Sequence, residues 1–300
     1  MRDLRTLNLN LLKALDALLD THSVTRAAER LNVTQPAMSG MLTRLRDGFD
    51  DPLFVRSQRG IVPTQRALAL APALRRILAE LDVLLQPVEF DPLTADLTLR
   101  IAATDYALSA VALPFLSALK QRAPGIRVAL LPVREVQVQT QLEHGELDFA
   151  LLTPESTPAD LHARRLFDER YVCVMRMDHP AAGEPALSLD RFCALEHALV
   201  SYNGGSFSGV TDEALARAGR TRRVSLSVQS FLVLPEILRQ SDLVAVLPER
   251  LVADVPGLRL FDPPVEIPGF TKMLVWHERN HGSPGQRWLR ELLVASCGTA

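Results

Sequence analysis

Apolar residues recur at helical spacing through the first 46 positions and predict three successive helices. The first has one apolar face, formed by Leu11, Leu12, Leu15, Leu18 and Leu19. Ser23 is a favourable N-cap for the second helix, whose inward residues are Ala27, Ala28 and Leu31. Thr34 is a second N-cap and precedes Pro36, whose missing N–H costs little in a first turn. The third helix turns inward Ala37, Met38, Met41, Leu42 and Leu45. This pattern predicts a helix-turn-helix over residues 23–46.

The opposite face of the third helix carries a polar row of Gln35, Ser39, Thr43 and Arg46, spaced four, four and three residues apart. Gln can make two hydrogen bonds to adenine in the major groove, and Ser and Thr can bond several bases. Arg44 and Arg46 lie further along the helix, where phosphates would flank the groove. The row therefore predicts a DNA-contacting helix, with an ordinary solvated polar face as the alternative.

Two short β-like runs follow, at residues 53–56 and 61–63, joined by Ser57-Gln58-Arg59-Gly60. A hairpin beside a helix-turn-helix is a wing. Its arginines, Arg56 and Arg59, can enter a minor groove or bind phosphate. A surface hairpin with solvated arginines is the alternative.

From Gln65 to Val88 the chain is rich in Ala, Leu and Arg and lacks glycine. Its apolar seam is spaced 4, 3, 4, 3, 4 and consists of Leu70, Leu74, Ile77, Leu81, Leu84 and Val88. We expect one long helix that buries little against its own domain and pairs with a second copy; packing on its own core is the alternative. Pro72 should kink it near Leu68, at about 3 kcal/mol if unrelieved.

Beyond residue 90, strands and helices alternate and predict an α/β domain. The first set has strands at 97–102, 126–131 and 147–152, with helices between them, in βαβαβ order. The second has strands at 171–176, 197–201, 224–228 and 243–247 and helices at 211–218 and 232–240. A last strand at 273–276 and a helix at 284–295 are expected to return to the first set, giving two lobes. Open sheets of this kind bind ligands at the carboxyl ends of their strands.

The net charge of −2 hides an asymmetry. Residues 1–66 hold ten Lys/Arg and seven Asp/Glu, a net of +3, whereas residues 67–300 hold 23 and 28, a net of −5. A mildly basic N-terminal unit suits a specific DNA binder better than a protein that coats nucleic acid by charge. Without a signal-peptide pattern or a run of about 18 apolar residues, a cytoplasmic protein that spans no membrane is expected.

Motifs for catalysis or cofactor binding do not occur in the sequence. Three widely spaced cysteines without CxxC agree with a reducing compartment, a redox switch being the alternative. HExxH, P-loop, dinucleotide and GxSxG patterns do not occur, so neither a metal site, a cofactor nor an enzyme is predicted.

With these elements in this order, the chain resembles the LysR-type transcriptional regulators. The resemblance rests on Ala27-Ala28-x-x-Leu31-x-x-Thr34-Gln35-Pro36-Ala37-x-Ser39, Leu53-Phe54-x-Arg56 and Pro63-Thr64. Three stretches resemble the sequences of the subgroup that senses flavonoids and aromatic acids, namely Phe90-Asp91-Pro92, Asp178-His179-Pro180 and Trp276-His277. Arg46-Asp47 departs from the Leu-Glu-type pair of many members.

The resemblance implies a winged helix-turn-helix, all-α with a β wing, over residues 1–64, and a linker dimerisation helix over 65–89. An α/β, periplasmic-binding-protein-like two-lobed effector domain would follow over 90–300, with lobe one at 90–165 and 267–300 and lobe two at 166–266. A homodimer or homotetramer would bind double-stranded promoter DNA and a small-molecule inducer between the lobes, and would contact RNA polymerase if it activates transcription.

Site residues are implied in the same way. The resemblance implies that Gln35, Pro36 and Ser39 read bases and that Arg56 acts in the wing. Together with the cap, the polar row and the further arginines, the predicted DNA-binding set is Thr34, Gln35, Pro36, Ser39, Thr43, Arg44, Arg46, Arg56 and Arg59. The effector-binding set is Thr104, Asp105, Glu169, Asn203, Ser206, Phe231 and Arg250. Arg250 can pair with a carboxylate and Phe231 can cover a ring, which favours an aromatic or other small organic acid, whereas Asp105 and Glu169 oppose an anion.

Two other classes of function remain open at this point. A small-molecule (solute) binding protein without regulatory DNA binding would account for the two lobes but not for the helix-turn-helix. An enzyme would need a nucleophile–base pair or a metal constellation, and the sequence shows neither.

Overall fold

A computed structural model describes residues 8–58, 60–85, 89–201 and 204–298, and for residues 85 and 135 it describes the backbone alone. The chain divides into two compact units, residues 1–88 and 89–300. The elements of the first unit are α1 (Leu9–Thr21), α2 (Val24–Arg30), α3 (Gln35–Phe49), β1 (Phe54–Ser57), β2 (Gly60–Pro63) and α4 (Gln65–Leu85).

The helix-turn-helix forms because its caps and its apolar face agree. The Ser23 hydroxyl accepts the Arg26 N–H and the Thr34 hydroxyl accepts the Ala37 N–H, each at 3.4 Å, so both predicted N-caps are confirmed. The buried core of this unit includes Leu15, Leu18, Ala27, Ala28, Met38, Leu42, Leu45 and Phe54. The prediction for Ala37 is wrong: it lies in the first turn of α3 and is exposed, because the buried stripe begins at Met38.

The β1–β2 hairpin is attached to the end of α1. The Ile61 N–H donates to the His22 carbonyl at 3.2 Å. Gly60 has φ +129°, and a Cβ there would lie 2.7 Å from the same carbonyl oxygen, so only glycine fits. At the base of the hairpin, Asp51 accepts both the Leu53 N–H at 2.7 Å and the Thr64 hydroxyl at 2.8 Å. These contacts hold the wing in a defined place.

Helix α4 continues without interruption through Pro72. Part of its predicted seam packs on its own unit, since Leu74 is 5% exposed and Leu70 also contacts the core. The expectation that the helix buries little against its own domain is therefore wrong for the first half of α4, which contains Leu70 and Leu74. Further along, Ile77 is 44% exposed and Leu84 is 78% exposed, which leaves apolar surface uncovered. Val88 lies outside the described residues.

The second unit holds two five-stranded sheets, which define its two lobes. The strands are β3 (Thr98–Ala103), β4 (Arg127–Pro132), β5 (Phe149–Leu152), β6 (His162–Glu169), β7 (Tyr171–Arg176), β8 (Glu196–Val200), β9 (Arg223–Val228), β10 (Val244–Pro248), β11 (Leu258–Phe261) and β12 (Phe270–Trp276). The helices are α5 (Asp105–Ala107), α6 (Leu113–Arg122), α7 (Glu135–His144), α8 (Leu189–Ala194), α9 (Val210–Arg217), α10 (Leu234–Arg239), α11 (Glu249–Val252) and α12 (Pro284–Cys297). A π-helical turn joins α5 to α6.

The strand order is β4-β3-β5-β12-β6 in lobe one and β11-β7-β10-β8-β9 in lobe two. Strand β3 is parallel to β4 and β5, as the βαβαβ pattern predicts. The predicted return of the last strand is confirmed, because β12 pairs antiparallel with both β5 and β6 of lobe one. In lobe two, β7 pairs antiparallel with β10 and β11, so that sheet is mixed.

Strands β6 and β11 and helix α8 were not predicted. Strand β6 belongs to the lobe-one sheet, so the predicted lobe boundary at 165/166 falls inside a strand and the chain crosses to lobe two at Arg170. The second crossing lies between β11 and β12. No helix of the described residues is both long enough and apolar enough to cross a membrane.

Candidate functional site

The outer face of α3 is a continuous polar surface. Its inner residues Met38, Leu42 and Leu45 are at most 5% exposed. The predicted DNA-contacting residues of the helix and its cap are all exposed, namely Thr34, Gln35, Pro36, Ser39, Thr43, Arg44 and Arg46. The residue types that can bond base edges therefore face solvent on one helix whose opposite face is fixed in the core.

Besides Thr34, whose hydroxyl caps the helix, two of these side chains already have intramolecular partners. The Thr43 hydroxyl donates to the Ser39 carbonyl at 3.1 Å. The Arg46 guanidinium donates to the carbonyls of Pro52 at 2.9 Å and Phe54 at 3.0 Å. Arg46 thus connects α3 to the first strand of the wing, which gives it a positioning role that the sequence did not suggest.

The wing contributes Arg56, which is exposed on β1 opposite Ile61. Arg59 lies outside the described residues. Elsewhere in this unit, Arg30 pairs with Asp20 at 2.7 Å, and the hydrogen bond from Arg30 holds the pKa of Asp20 below its usual value. The acids of α1 thus face Arg30 and Arg75, whereas Arg44, Arg46 and Arg56 form no salt bridge with an acid among the described residues.

In the second unit, the two lobes touch where β3 ends. The Thr104 hydroxyl caps α5 by accepting the Ala107 N–H at 3.3 Å. Asp105, which begins the helix, accepts the Leu232 N–H of lobe two at 3.4 Å. Two predicted effector residues therefore lie at a direct contact between the lobes, at the carboxyl end of a parallel strand.

Tyr106 is the centre of this contact, and sequence reasoning missed it. Its hydroxyl donates to the carboxylate of Glu169, which is 5% exposed. Its ring lies 5.9 Å from the Phe231 ring of lobe two and 5.6 Å from the Phe270 ring, between centroids. The structure thus brings together three predicted residues, Asp105, Glu169 and Phe231, around a tyrosine that adjoins the first of them.

The surroundings of Tyr106 combine aromatic rings with a buried cation. The Lys272 ammonium lies 5.8 Å from the Tyr106 ring centroid and 5.6 Å from that of Phe270, and Lys272 is 4% exposed. Tyr171 extends the cluster, with its ring 5.7 Å from Phe270. Burial raises the pKa of Tyr171 to about 12. Burial and the bond to Glu169 both raise the pKa of Tyr106, so both phenols stay protonated at neutral pH.

Arg250 and Glu169 line the same cavity. The Arg250 guanidinium carbon is 4.3 Å from the ring centroid of Phe167 in lobe one. The cavity has a volume of about 360 Å³ and is lined by Asp168, Glu169, Arg170, Glu249, Arg250 and Ala253. Because β6 and α11 both contribute to its wall, this cavity is also an interlobe feature, and its wall carries two arginines together with three carboxyl groups.

The remaining effector candidate that can be placed is Ser206. Its N–H donates to the Ser201 hydroxyl at 3.1 Å, and its carbonyl accepts the Ser227 hydroxyl at 2.6 Å. These bonds hold it within lobe two, and Ser206 itself is exposed. Asn203 lies outside the described residues.

The cysteines offer little thiolate for redox chemistry. All three are free thiols, and Cys173 and Cys297 are buried. Burial raises the pKa of Cys173 to about 12 and that of Cys297 to about 11, and it also raises the pKa of Cys193. Thiols with raised pKa values react slowly with oxidants.

Comparison with known proteins finds matches for both units of the chain. Residues 9–68 match the model for bacterial regulatory helix-turn-helix proteins of the lysR family, and residues 95–298 match the LysR substrate binding domain. The chain is 40% identical to the HTH-type transcriptional activator NagR from a Ralstonia species, over 97% of this chain and 98% of that protein. It is 35% identical to the activator NahR of Pseudomonas putida, over 97% and 98%.

A solved structure of a probable transcriptional regulator from Pseudomonas aeruginosa is also similar, with 35% identity, 97% of each chain covered and a TM-score of 0.60. Family models that cover most of the chain and relatives named as transcription regulators exclude an enzyme as its class. The helix-turn-helix unit and the two-lobed unit both match this family, and the chain therefore belongs to the LysR family of DNA-binding transcription regulators.

Proposed function

We propose that this regulator binds a specific promoter sequence through α3 and the wing, under the control of a small organic acid, aromatic in its core, bound between the lobes. The observation that carries the proposal is the Tyr106 contact. The ring contact of Tyr106 with Phe231 and the hydrogen bond from the Leu232 N–H to Asp105 join the lobes there, and a ligand entering between the lobes must exchange those contacts. A ligand acts on such a protein only by preferring one lobe arrangement over another.

For DNA, the exposed row on α3 supports base contacts and Arg56 supports a wing contact. Gln35 stands in the first turn and carries two hydrogen-bonding groups, so it is the best candidate for sequence discrimination. Arg44 is exposed beside the row and suits a phosphate contact. The partly uncovered apolar surface of α4 supports pairing with a second copy, which would place two such helices on one site.

For the inducer, the rings of Phe231, Phe270 and Tyr171 supply apolar contact, and Arg250 and Lys272 supply positive charge. Glu169 is already engaged by the Tyr106 hydroxyl, which reduces its repulsion of an incoming carboxylate. Rings and cations of this kind suit an aromatic carboxylate better than a sugar.

DNA binding is tested by fluorescence anisotropy with duplexes from upstream of the protein's own gene and with scrambled duplexes, over a range of salt. Gln35→Ala should lose about 1–3 kcal/mol of preference for the specific duplex and keep its affinity for the scrambled one. Gln137→Ala, an exposed glutamine of the second unit, is the matched control. Equal binding of both duplexes by the wild-type chain would refute sequence-specific regulation and favour a solute-binding protein.

Inducer binding is tested by thermal shift with benzoate and its hydroxy derivatives. Benzyl alcohol tests the need for the acid and cyclohexanecarboxylate the need for the aromatic ring. Phe231→Ala should reduce the shift for aromatic ligands, and Arg250→Gln should reduce it for acids only. Ligands that bind should then change the DNA affinity or bend angle. A tight ligand that alters neither would refute control by that ligand.

A further inference from the structure

Outside both surfaces, three side chains with metal-binding groups converge at the edge of lobe one. His162 is the first residue of β6, while Glu278 and His281 lie on the turn that follows β12. One ligating atom from each lies within 4.8 Å of the other two. In the described part of the chain, no other set of three such side chains meets this condition. The sequence prediction of no metal site rested on local motifs, and this cluster joins positions 116 residues apart.

We propose that His162, Glu278 and His281 form a binding site for one divalent transition-metal ion of the Zn²⁺ type. Two imidazoles and one carboxylate are ligands that Zn²⁺, Ni²⁺ and Cu²⁺ prefer, whereas Mg²⁺ and Ca²⁺ prefer oxygen alone. The His162 ring nitrogen Nε2 and a Glu278 carboxylate oxygen are already in direct contact. The His162 and His281 rings stack with centroids 4.2 Å apart. Three protein ligands leave a position open for water.

A buried arginine of α12 holds the backbone of the turn that carries two of the ligands. Arg290 of α12 is 6% exposed and donates to the carbonyls of Asn280 at 3.0 Å and His281 at 2.8 Å. Its guanidinium carbon also lies 4.7 Å from the Trp276 ring centroid. The backbone of the turn is thus preorganised, so that a bound ion needs to order side chains rather than the loop.

Trp276 makes ion binding observable. Its indole N–H donates to Nδ1 of His281 at 3.3 Å. A neutral imidazole has one nitrogen with a lone pair, so an ion on Nδ1 displaces the indole N–H. An ion on Nε2 moves the proton to Nδ1, which then no longer accepts. Either way the Trp276–His281 hydrogen bond is lost, and the emission of Trp276 should change.

The experiment uses the untagged full chain at pH 7.5, with ZnCl₂ titrated by calorimetry and by tryptophan emission in a Trp288→Phe background. We expect one Zn²⁺ per chain, a change in Trp276 emission with the same titration curve, and no response to MgCl₂. His162→Ala, His281→Ala and Glu278→Gln should each weaken binding by about tenfold or more. His144→Ala, an exposed histidine in the last turn of α7, is the control and should bind as the wild type does.

Glu278→Gln keeps the test valid if a histidine variant folds poorly, because the Glu278 side chain is 71% exposed. Circular dichroism and the metal-free melting temperature establish that each variant is folded. Wild-type affinity in Glu278→Gln and either histidine variant would overturn the proposal, as would the absence of a Zn²⁺ response in the wild-type chain. In those cases His162 and Glu278 form an ion pair only.

Discussion

Removing one hydroxyl by Tyr106→Phe tests how α5, which carries the interlobe contacts of Asp105 and Tyr106, is held to the end of β6 within lobe one. The substitution deletes the hydrogen bond to the Glu169 carboxylate and leaves the ring contacts with Phe231 and Phe270 in place. Hydrogen bonds to charged groups contribute about 1.5–3 kcal/mol. Glu169 keeps the backbone N–H of Arg170 as a donor at 2.9 Å, so the carboxylate is not left without a partner. We therefore expect a loss of about 1.5 kcal/mol, at the low end of that range.

The assay is urea unfolding of the full chain followed by tryptophan emission. Trp276 on β12 and Trp288 on α12 both lie in the second unit, so the signal reports on that unit, and on lobe one in particular, rather than on the first unit. Tyr171→Phe is the matched control: it removes a phenol hydroxyl from the same cluster, and that hydroxyl makes no hydrogen bond among the described residues.

Coupling between the two side chains is the decisive quantity. In a double-mutant cycle, Glu169→Gln should cost less in the Tyr106→Phe background than in the wild type, because the bond is already gone. The effect should persist to alkaline pH, since the raised pKa of Tyr106 keeps its proton in place. Additive losses, or equal losses for Tyr106→Phe and Tyr171→Phe, would refute the assignment of this bond as the link between α5 and the end of β6.

Three further predictions concern the two units separately. Arg44→Ala should weaken DNA binding and lower the salt slope by about 1 without changing stability, whereas Arg46→Ala should also lower the melting temperature, because its guanidinium holds the wing. A stability loss for Arg44→Ala alone would contradict this. Gly60→Ala should displace the wing, because its Cβ would overlap the carbonyl at the end of α1; unchanged proteolysis of the wing would argue against it. Lobe two should lose stability as pH falls from 6.5 towards 4. Burial lowers the pKa of His197 to about 4, so in this pH range the unfolded chain binds a proton at His197 that the native state does not bind. His197→Gln should remove that dependence in a pH series of urea unfolding curves, and an unchanged pH profile would exclude His197 as its origin.

The local features of the fold were predictable because they depend on neighbours in sequence. The caps at Ser23 and Thr34 and the glycine of the wing follow from turn and helix chemistry within a few residues. Strand β6 was missed because His162–Glu169 is an edge strand rich in charge, without the apolar run of a central strand. Its partner strand β12 begins about a hundred residues later in the sequence, and no local sequence pattern predicts that pairing.

The candidate site was predictable only in part, for a related reason. Thr104 and Asp105 follow a strand that periodicity identifies, so their place at the end of β3 could be expected. Tyr106 was missed because its importance depends on Glu169, 63 residues further along. One general rule points to such a contact: a carboxylate buried at the end of a strand needs hydrogen-bond donors, and the chain has only three tyrosines that could serve.

An anion bound near Arg250 would lie next to Arg170, the residue at which the chain first crosses between the lobes. Arg170, at the first crossing, contacts Glu249 of α11 and donates to Asp262 at the start of the second crossing at 2.8 Å. Both acids and Arg170 are solvent-accessible, with Asp262 84% exposed, and such pairs contribute about 0–1 kcal/mol. A ligand carboxylate in the adjoining cavity can therefore replace one of these acids on Arg170 at small cost. Under the proposed control by an organic acid, exchange of Asp262 would release one crossing segment from the other, so that ligand binding and lobe movement would occur as a single event, with no long path of coupled residues required.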